Sequence, residues 1–471
     1  MVLQLNGKRA LVLGLARSGV GVANLLVRLG ALVTVNDTKS ADVLAPALQR
    51  LDPAVRVLLG SHPQDLFSSS DLIVISPGVP HDMPLLRSAA GQGIPVIGEL
   101  ELAYAVAAQA PVHGRRAPGF LAITGTNGKS TTTTLLYDMV RQAGYRAELC
   151  GNIGTAVSET LLSGGLLEPD AVMKRALDFF VIEVSSFQLD TIDSFRPSGA
   201  AVLNITPDHL DRYHGMDAYV AAKSRIFEKQ GGHDVLVLNA DDPFTPQLDI
   251  RWQALSAPPD VYYFSRTQKV RGAYVRDGRV IFSFNGSEHA IDPSTFGIKG
   301  VHNVENAMAA GLLALTAGCG MDAVTAALRT FRGLEHRLEA VRELNGVQYI
   351  NDSKGTNVGA VLKSLEGFAS PVVLIAGGRD KDGDFRQLRD LVRDKVKALV
   401  LIGEAAVNIG DAVGDLAQTY YEPDLKAAVH RCHACAEAGD IVLLSPACAS
   451  FDMFRDYEDR GRQFKALVRE L

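Results

Sequence analysis

Gly125-Thr126-Asn127-Gly128-Lys129-Ser130-Thr131 sets two glycines, a lysine and two hydroxyls in an order suited to gripping a polyphosphate. The glycines let the backbone turn tightly and approach phosphate oxygens, Lys129 can reach the outer phosphates, and Ser130 or Thr131 can offer a hydroxyl to Mg²⁺. The spacing is short, because only Thr126 and Asn127 lie between Gly125 and Gly128 where the common phosphate loop has four residues. Gly14-x-Ala16-x-x-Gly19, with Asp37 downstream, resembles a dinucleotide fingerprint. Ala16 stands where a glycine would admit a pyrophosphate, which counts against a redox cofactor. A turn holding another nucleotide's phosphates and a purely structural turn both remain open.

Further polar residues follow apolar runs. Glu183 ends FFVIE, where a lone carboxylate is costly unless a cation or hydrogen-bond donors meet it. Asp208, His209 and Asp211 follow a second run, and glutamate, imidazole and the loop hydroxyl together make hard Mg²⁺ ligands beside a triphosphate. Lys223 lies on a helical stretch and by itself reads as a solvated lysine. Asn303 and Asn306 sit in HNVENA, His336 and Arg337 in LEHR, and Asp352, Lys354 and Thr356 in NDSKGT. Lys381 follows AGGRD, and LSPACASFD carries Ser450.

The elements that would position these residues alternate in kind. RALVLGL, ALVTVND, VRVLLG, DLIVISPG and PVIGE are short apolar strands separated by helical runs, which predicts a parallel sheet covered on both faces. A turn-rich connector, 109–119, leads to FLAITG, FFVIEVSS, GAAVLNIT and HDVLVLN. Between Val261 and Ile291 the alternation broken by RDG and FNG predicts a small antiparallel patch. A third series, VQYINDS, PVVLIAGG, ALVLIG and DIVLLSP, starts near Gly333. The phosphate loop then follows the first strand of the second series, with a helix expected to begin at Gly128 or Lys129 and aim its free N–H groups at an anion. Polar clusters after strands in all three series imply a composite cleft.

At 471 residues the chain exceeds what one hydrophobic core organises, and 47% apolar with 21% charged residues is an ordinary globular balance. A formal charge of -6 gives no global basic field, so a nucleic-acid partner is not expected. No apolar run reaches the ~18 residues of a membrane span, and Met1–Leu5 does not open a signal peptide, so the cytoplasm is the expected compartment. Five cysteines fit a reducing compartment, and the Cys432/Cys435 pair reads as helix packing rather than a zinc site.

GTNGKST, EVSSFQL, DHLDRY, HNVENA, HR, NDSKGTN and LSPACASFD, in this order along essentially the whole chain, resemble the Mur ligase family, which uses the short GTNGK[ST] loop. The resemblance implies an α/β chain of three domains: a Rossmann-like domain (1–98) for a uridine-nucleotide substrate, a central P-loop ATPase-type domain (99–332) and a Rossmann-like domain (333–471) for the incoming amino acid. It implies an ATP-dependent ligase adding D-glutamate to UDP-N-acetylmuramoyl-L-alanine through an acyl phosphate, with ATP and two Mg²⁺ ions, acting as a monomer. The nucleotide sugar falls to Arg17, Ser18, Asp37, Thr38, Lys39, Ser76, Asn152 and Ser185. ATP falls to Gly125–Thr131, Asn303, Asn306, Arg337 and Asp352. Ser130, Glu183, His209 and Lys223, the last if carbamylated, would meet the metals. Lys129, Glu183, His209, Lys223 and Lys354 would serve catalysis, and Thr356, Lys381, Ser450 and Tyr457 would grip D-glutamate. Two features depart from the family pattern: Tyr457 stands where phenylalanine is frequent, and 164–178 reads as a surface insertion. The DNPR motif of the diamino-acid ligases is absent.

Overall fold

The computed structural model describes residues 4–109, 117–163, 177–381 and 383–471, apart from the side chains of Arg17 and Asp211. The expected insertion at 164–178, except its last two residues, and most of the 109–119 connector lie outside the described residues. Among those described, the strands form three sheets.

In the first, five parallel strands run in the order Arg56–Leu59, Leu32–Asp37, Arg9–Leu13, Leu72–Ile75 and Val96–Gly98. Strand order reverses at Arg9–Leu13, which opens a crevice beyond the adjacent ends Leu13 and Ile75.

The second sheet orders nine strands as Ser287–Ile291, Arg279–Phe284, Gly272–Arg276, Asp260–Ser265, Val235–Asn239, Gly199–Val202, Gly119–Thr124, Phe179–Glu183 and Ala147–Gly151. The first three form the expected antiparallel patch. Its turns fall at Asp277-Gly278 and Asn285-Gly286, all four with positive φ, the backbone that a two-residue hairpin with right-handed strand twist needs. The remaining strands pair in parallel, and Gly119–Thr124 has Phe179–Glu183 and Gly199–Val202 as neighbours.

The third sheet runs Glu339–Leu344, Val347–Asn351, Ile441–Leu444, Val372–Gly377, Val396–Ile402 and Gln418–Tyr421. Its inner strands are buried on both faces, and so read as unbroken apolar runs. Alternate residues serve opposite cores: Leu374, Leu399, Leu401 and Leu443 pack on one side, Val373, Ile375, Val400 and Val442 on the other. Cys432 packs into the second of these cores from the helix Leu425–Cys435, and both it and Cys435 are free thiols.

Packing divides the chain into two compact units. One holds 1–203, 220–295 and 305–329, with the first two sheets; the other holds 204–219, 296–304 and 330–471, with the third. No helix among the described residues is long and apolar enough to cross a membrane.

Candidate active site

In the first unit the strand Gly119–Thr124 runs into the glycine loop, and the helix Lys129–Gln142 starts at Gly128, a left-handed residue with φ 83°. A Cβ on Gly128 would stand 2.3 Å from Asn306 Oδ1, so glycine meets both the backbone and the space requirement. Asn306 is held there by Thr132 Oγ1, which donates to its Oδ1 at 3.1 Å. Lys129 curls back over its own loop and donates to the carbonyls of Gly125 (2.9 Å) and Thr126 (2.8 Å). Lys223, 1% exposed, donates to the same Gly125 carbonyl at 2.8 Å. The lysine that reads as solvated in isolation is therefore buried and joins Lys129 on the loop.

Glu183, at the end of the neighbouring strand, is 3% exposed. Its Oε2 accepts from Ser130 Oγ at 2.5 Å and its Oε1 from Asn152 Nδ2 at 2.7 Å. Both donors are neutral, so these bonds orient the buried carboxylate without cancelling its charge. A hydroxyl and a carboxylate oxygen side by side, with negative charge to spare, suit a hard cation such as Mg²⁺.

A cavity of ≈ 490 Å³ opens at the crevice of the first sheet. Ser18, Asp37, Thr38, Lys39, Ser76 and Asn152, the residues that the family resemblance assigns to the nucleotide sugar, line it. Asp37 is spent on architecture as well, its carboxylate accepting from Leu15 N at 2.7 Å and Lys39 N at 2.9 Å, while Ser76 Oγ donates to Gly14 O at 2.8 Å. Arg17 begins the helix Arg17–Arg28, but its side chain is outside the description. Ser185 is not among the lining residues: its hydroxyl donates to Gln188 Oε1 and accepts from Gln188 N, capping the helix Ser186–Leu189. Gln188, within EVSSFQL but not singled out from it, lines the cavity, and so does Glu99, which lies in none of the motifs. The sequence did carry a signal for Glu99, since GELEL puts two acids into an apolar helix. Burial pushes the Glu99 carboxyl above its usual range, although Ser158 N–H donates to it at 2.7 Å.

In the second unit Asp352 is fully buried, taking Arg337 Nη1 (3.1 Å) and Leu338 N (3.2 Å) on Oδ1, and Ser364 Oγ (2.7 Å) and Ser445 Oγ (2.8 Å) on Oδ2. Asn303, on the first turn of the helix Val301–Thr316, donates to Lys299 O at 2.7 Å. Lys354 Nζ lies 5.2 Å from the Tyr457 ring centroid, a cation–π distance, while the Tyr457 hydroxyl donates to Glu458 at 3.2 Å. Arg460, also missed, is buried between the loops bearing Lys354 and Ser450, and donates to Ser353 Oγ (2.9 Å), Ser353 O (2.8 Å) and Cys448 O. Thr356 is half-buried and Ser450 buried on those same loops. Lys381 Nζ reaches Asp208 Oδ1 at 3.2 Å, and His209, in a left-handed conformation, follows Asp208 directly. The carboxylates of Glu335 and Glu339 beside His336 could hold a metal by spacing alone, but Lys465 Nζ sits on both, at 2.7 and 2.6 Å.

Three family models match the chain in order: "Mur ligase MurD-like, N-terminal domain" over 8–98, "Mur ligase middle domain" over 123–314 and "Mur ligase, glutamate ligase domain" over 336–448. The UDP-N-acetylmuramoylalanine--D-glutamate ligase of Geotalea uraniireducens is 44% identical over 470 residues, covering 100% of this chain and 99% of the relative. That of Koribacter versatilis is 44% identical over 472 residues, with 100% and 99% covered. Among solved structures, UDP-N-acetylmuramate-alanine ligase from Thermotoga maritima superposes with a TM-score of 0.59 at 17% identity, covering 98% of this chain and 99% of that one. MurF from Acinetobacter baumannii gives a TM-score of 0.61 at 15% identity, over 94% and 90%. These two structures share the fold; the full-length relatives and the three tiled domain models go further, and on them the chain belongs to the Mur ligase family.

Proposed function

We propose that the protein is an ATP-dependent amide ligase that joins D-glutamate to UDP-N-acetylmuramoyl-L-alanine, releasing ADP and phosphate, in peptidoglycan precursor synthesis. The observation that carries this reading is the Asn152 amide. It lines the nucleotide-sized cavity and also donates to Glu183, whose other oxygen takes the Ser130 hydroxyl of the phosphate loop. A substrate lying in that cavity therefore ends beside the loop. The name shared by the full-length relatives supports D-glutamate as the amino acid.

In this reading the loop N–H groups and Lys129 hold the ATP phosphates, with Lys129 turning from the Gly125 and Thr126 carbonyls to the more negative ligand. A carboxylate oxygen of the alanyl group attacks the γ-phosphorus, the bond to ADP breaks, and an acyl phosphate forms. Lys129 offsets the repulsion between the two anions, the main obstacle to that step. The D-glutamate amine then attacks the carbonyl carbon, and the tetrahedral intermediate expels phosphate as the nitrogen loses its proton. Ser130 and Glu183 would hold Mg²⁺, which when bound supplies further neutralisation of phosphate charge. Carbamylation of Lys223 would replace its ammonium with a carbamate that keeps one N–H and adds an anionic carboxylate, reversing the charge beside Gly125 O.

Phosphate release with ATP and Mg²⁺ is expected only when UDP-N-acetylmuramoyl-L-alanine and D-glutamate are both present. An amino-acid panel in which L-lysine or meso-diaminopimelate is preferred would overturn the substrate choice. Hydrolysis indifferent to both substrates would overturn the ligase reading itself.

A further inference from the structure

Asp208 follows the strand Gly199–Val202 and belongs to the second unit, where its side chain is only 9% exposed. Both carboxylate oxygens are engaged by side chains distant in sequence. Lys381 Nζ meets Oδ1 at 3.2 Å, and Asn357 Nδ2 donates to Oδ2 at 3.1 Å. The His209 imidazole stands 3.7 Å from Oδ2. An enclosed carboxylate needs a cation, and here that cation is the lysine assigned above to a carboxylate of the incoming amino acid. One ammonium is thus claimed by an internal and an external anion.

The conflict resolves if the ligand brings its own cation. Every α-amino acid carries an ammonium and a carboxylate on one carbon, and Lys381 with Asp208, 3.2 Å apart, is a pair of the same two charges. When the ligand carboxylate takes Lys381 and the ligand ammonium takes Asp208, one ion pair becomes two and no charge is stranded. A dicarboxylate without the ammonium would draw Lys381 away and offer Asp208 no positive charge in exchange, a cost for a carboxylate only 9% exposed. The pair would then select for an amine, the group that must arrive to form the amide.

We propose that Asp208 receives the ammonium group of the incoming amino acid while Lys381 receives its carboxylate, the Asp208–Lys381 pair standing in for that zwitterion when no amino acid is bound. This rests on the amino-acid reading above and deepens it, adding an anionic contact to a set that was otherwise cationic and neutral.

The test compares the KM of D-glutamate with the competitive inhibition constant of glutarate, the same five-carbon dicarboxylate without the ammonium, in the presence of ATP, Mg²⁺ and the nucleotide sugar. With the unaltered protein glutarate is expected to bind at least about tenfold more weakly than D-glutamate, ~1.4 kcal/mol; equal binding overturns the proposal without any variant. In Asp208→Asn, which keeps shape and removes charge, the KM of D-glutamate is expected to rise about tenfold or more, while glutarate binds as before or more tightly because Lys381 is released. Equal weakening of both ligands would mean that Asp208 only positions Lys381, and an unchanged KM would mean that it does not meet the ligand; either overturns the proposal. Unaltered protein that turns over but fails these comparisons leaves the ligase reading intact. Unaltered protein that releases no phosphate with both substrates removes that reading and this proposal together.

Discussion

Burial pushes the His302 imidazole down to about 3, and the positive charges of Arg337 and Lys363 add to the shift. In an unfolded chain the same ring protonates near its ordinary 6.5, so between those values the unfolded state binds one more proton than the folded state. Stability is accordingly expected to fall as pH drops below 6.5, by about 1.4 kcal/mol per pH unit from this residue. His302→Gln should flatten the decline, read from urea unfolding at successive pH values; an unchanged slope would locate the acid sensitivity elsewhere. Tyr457 is the departure from the family pattern at this same scale. Its ring faces Lys354 and its hydroxyl turns to Glu458, so replacing the family's frequent phenylalanine adds a bond without removing the aromatic face. For Lys223 the sequence offered a helical lysine with solvent as its default surroundings. Its meeting with the Gly125 carbonyl spans 98 residues, which no local pattern encodes.

Among the elements, the helix Glu99–Gln109 does more than close the first domain. Glu101, fully buried, accepts from the backbone N–H groups of Asp193 (2.9 Å), Ser194 (2.8 Å) and Phe195 (3.0 Å), and Glu99 from that of Ser158. Two carboxylates of one helix thus fasten the first sheet to the helix Val157–Ser163 and to the segment 193–195, both connections of the second sheet within the same unit. Close approach reinforces the joint: a Cβ on Gly98 would stand 2.1 Å from Thr191 Oγ1, and Gly98 N donates to Thr191 O at 3.1 Å. Glu101→Gln removes the charge and turns an amide N–H₂ toward backbone donors, so a loss of about 1–3 kcal/mol is expected in denaturant unfolding. A change within error would show that the three bonds are replaceable by water. The strands themselves were legible, because two-faced burial demands unbroken apolar runs such as LIVI and VVLIAG. Glu339–Leu344, half exposed and carrying Glu339, Arg342 and Glu343, has no such run and was not foreseen.

On the scale of the whole molecule, each of the two units has its own sheets and apolar cores. Thermal unfolding followed by calorimetry is therefore expected to resolve two transitions, because cooperativity holds within a core rather than across a chain of this length. UDP-N-acetylmuramoyl-L-alanine at about 100 times its Kd should stabilise the unit holding the cavity by about 2.7 kcal/mol and move only the corresponding transition. A single transition shifted as a whole would show the two units to unfold as one. Residues 204–219 and 296–304 pack with the third sheet although they lie within the central stretch of sequence, a division that alternation of strands and helices could not reveal.

Sequence by itself marked residues whose types could carry chemistry and set several of them just after strands, since loop composition, strand periodicity and the order of seven motifs are local properties of the chain. The tertiary structure alone decided their partners: Thr132 with Asn306 across 174 residues, Lys381 with Asp208 across 173, and the Ser185 hydroxyl with its own helix cap rather than the cavity. The physical reason is that a buried polar group must find a complement wherever packing places one, and packing joins segments whose separation along the chain leaves no trace in spacing or periodicity.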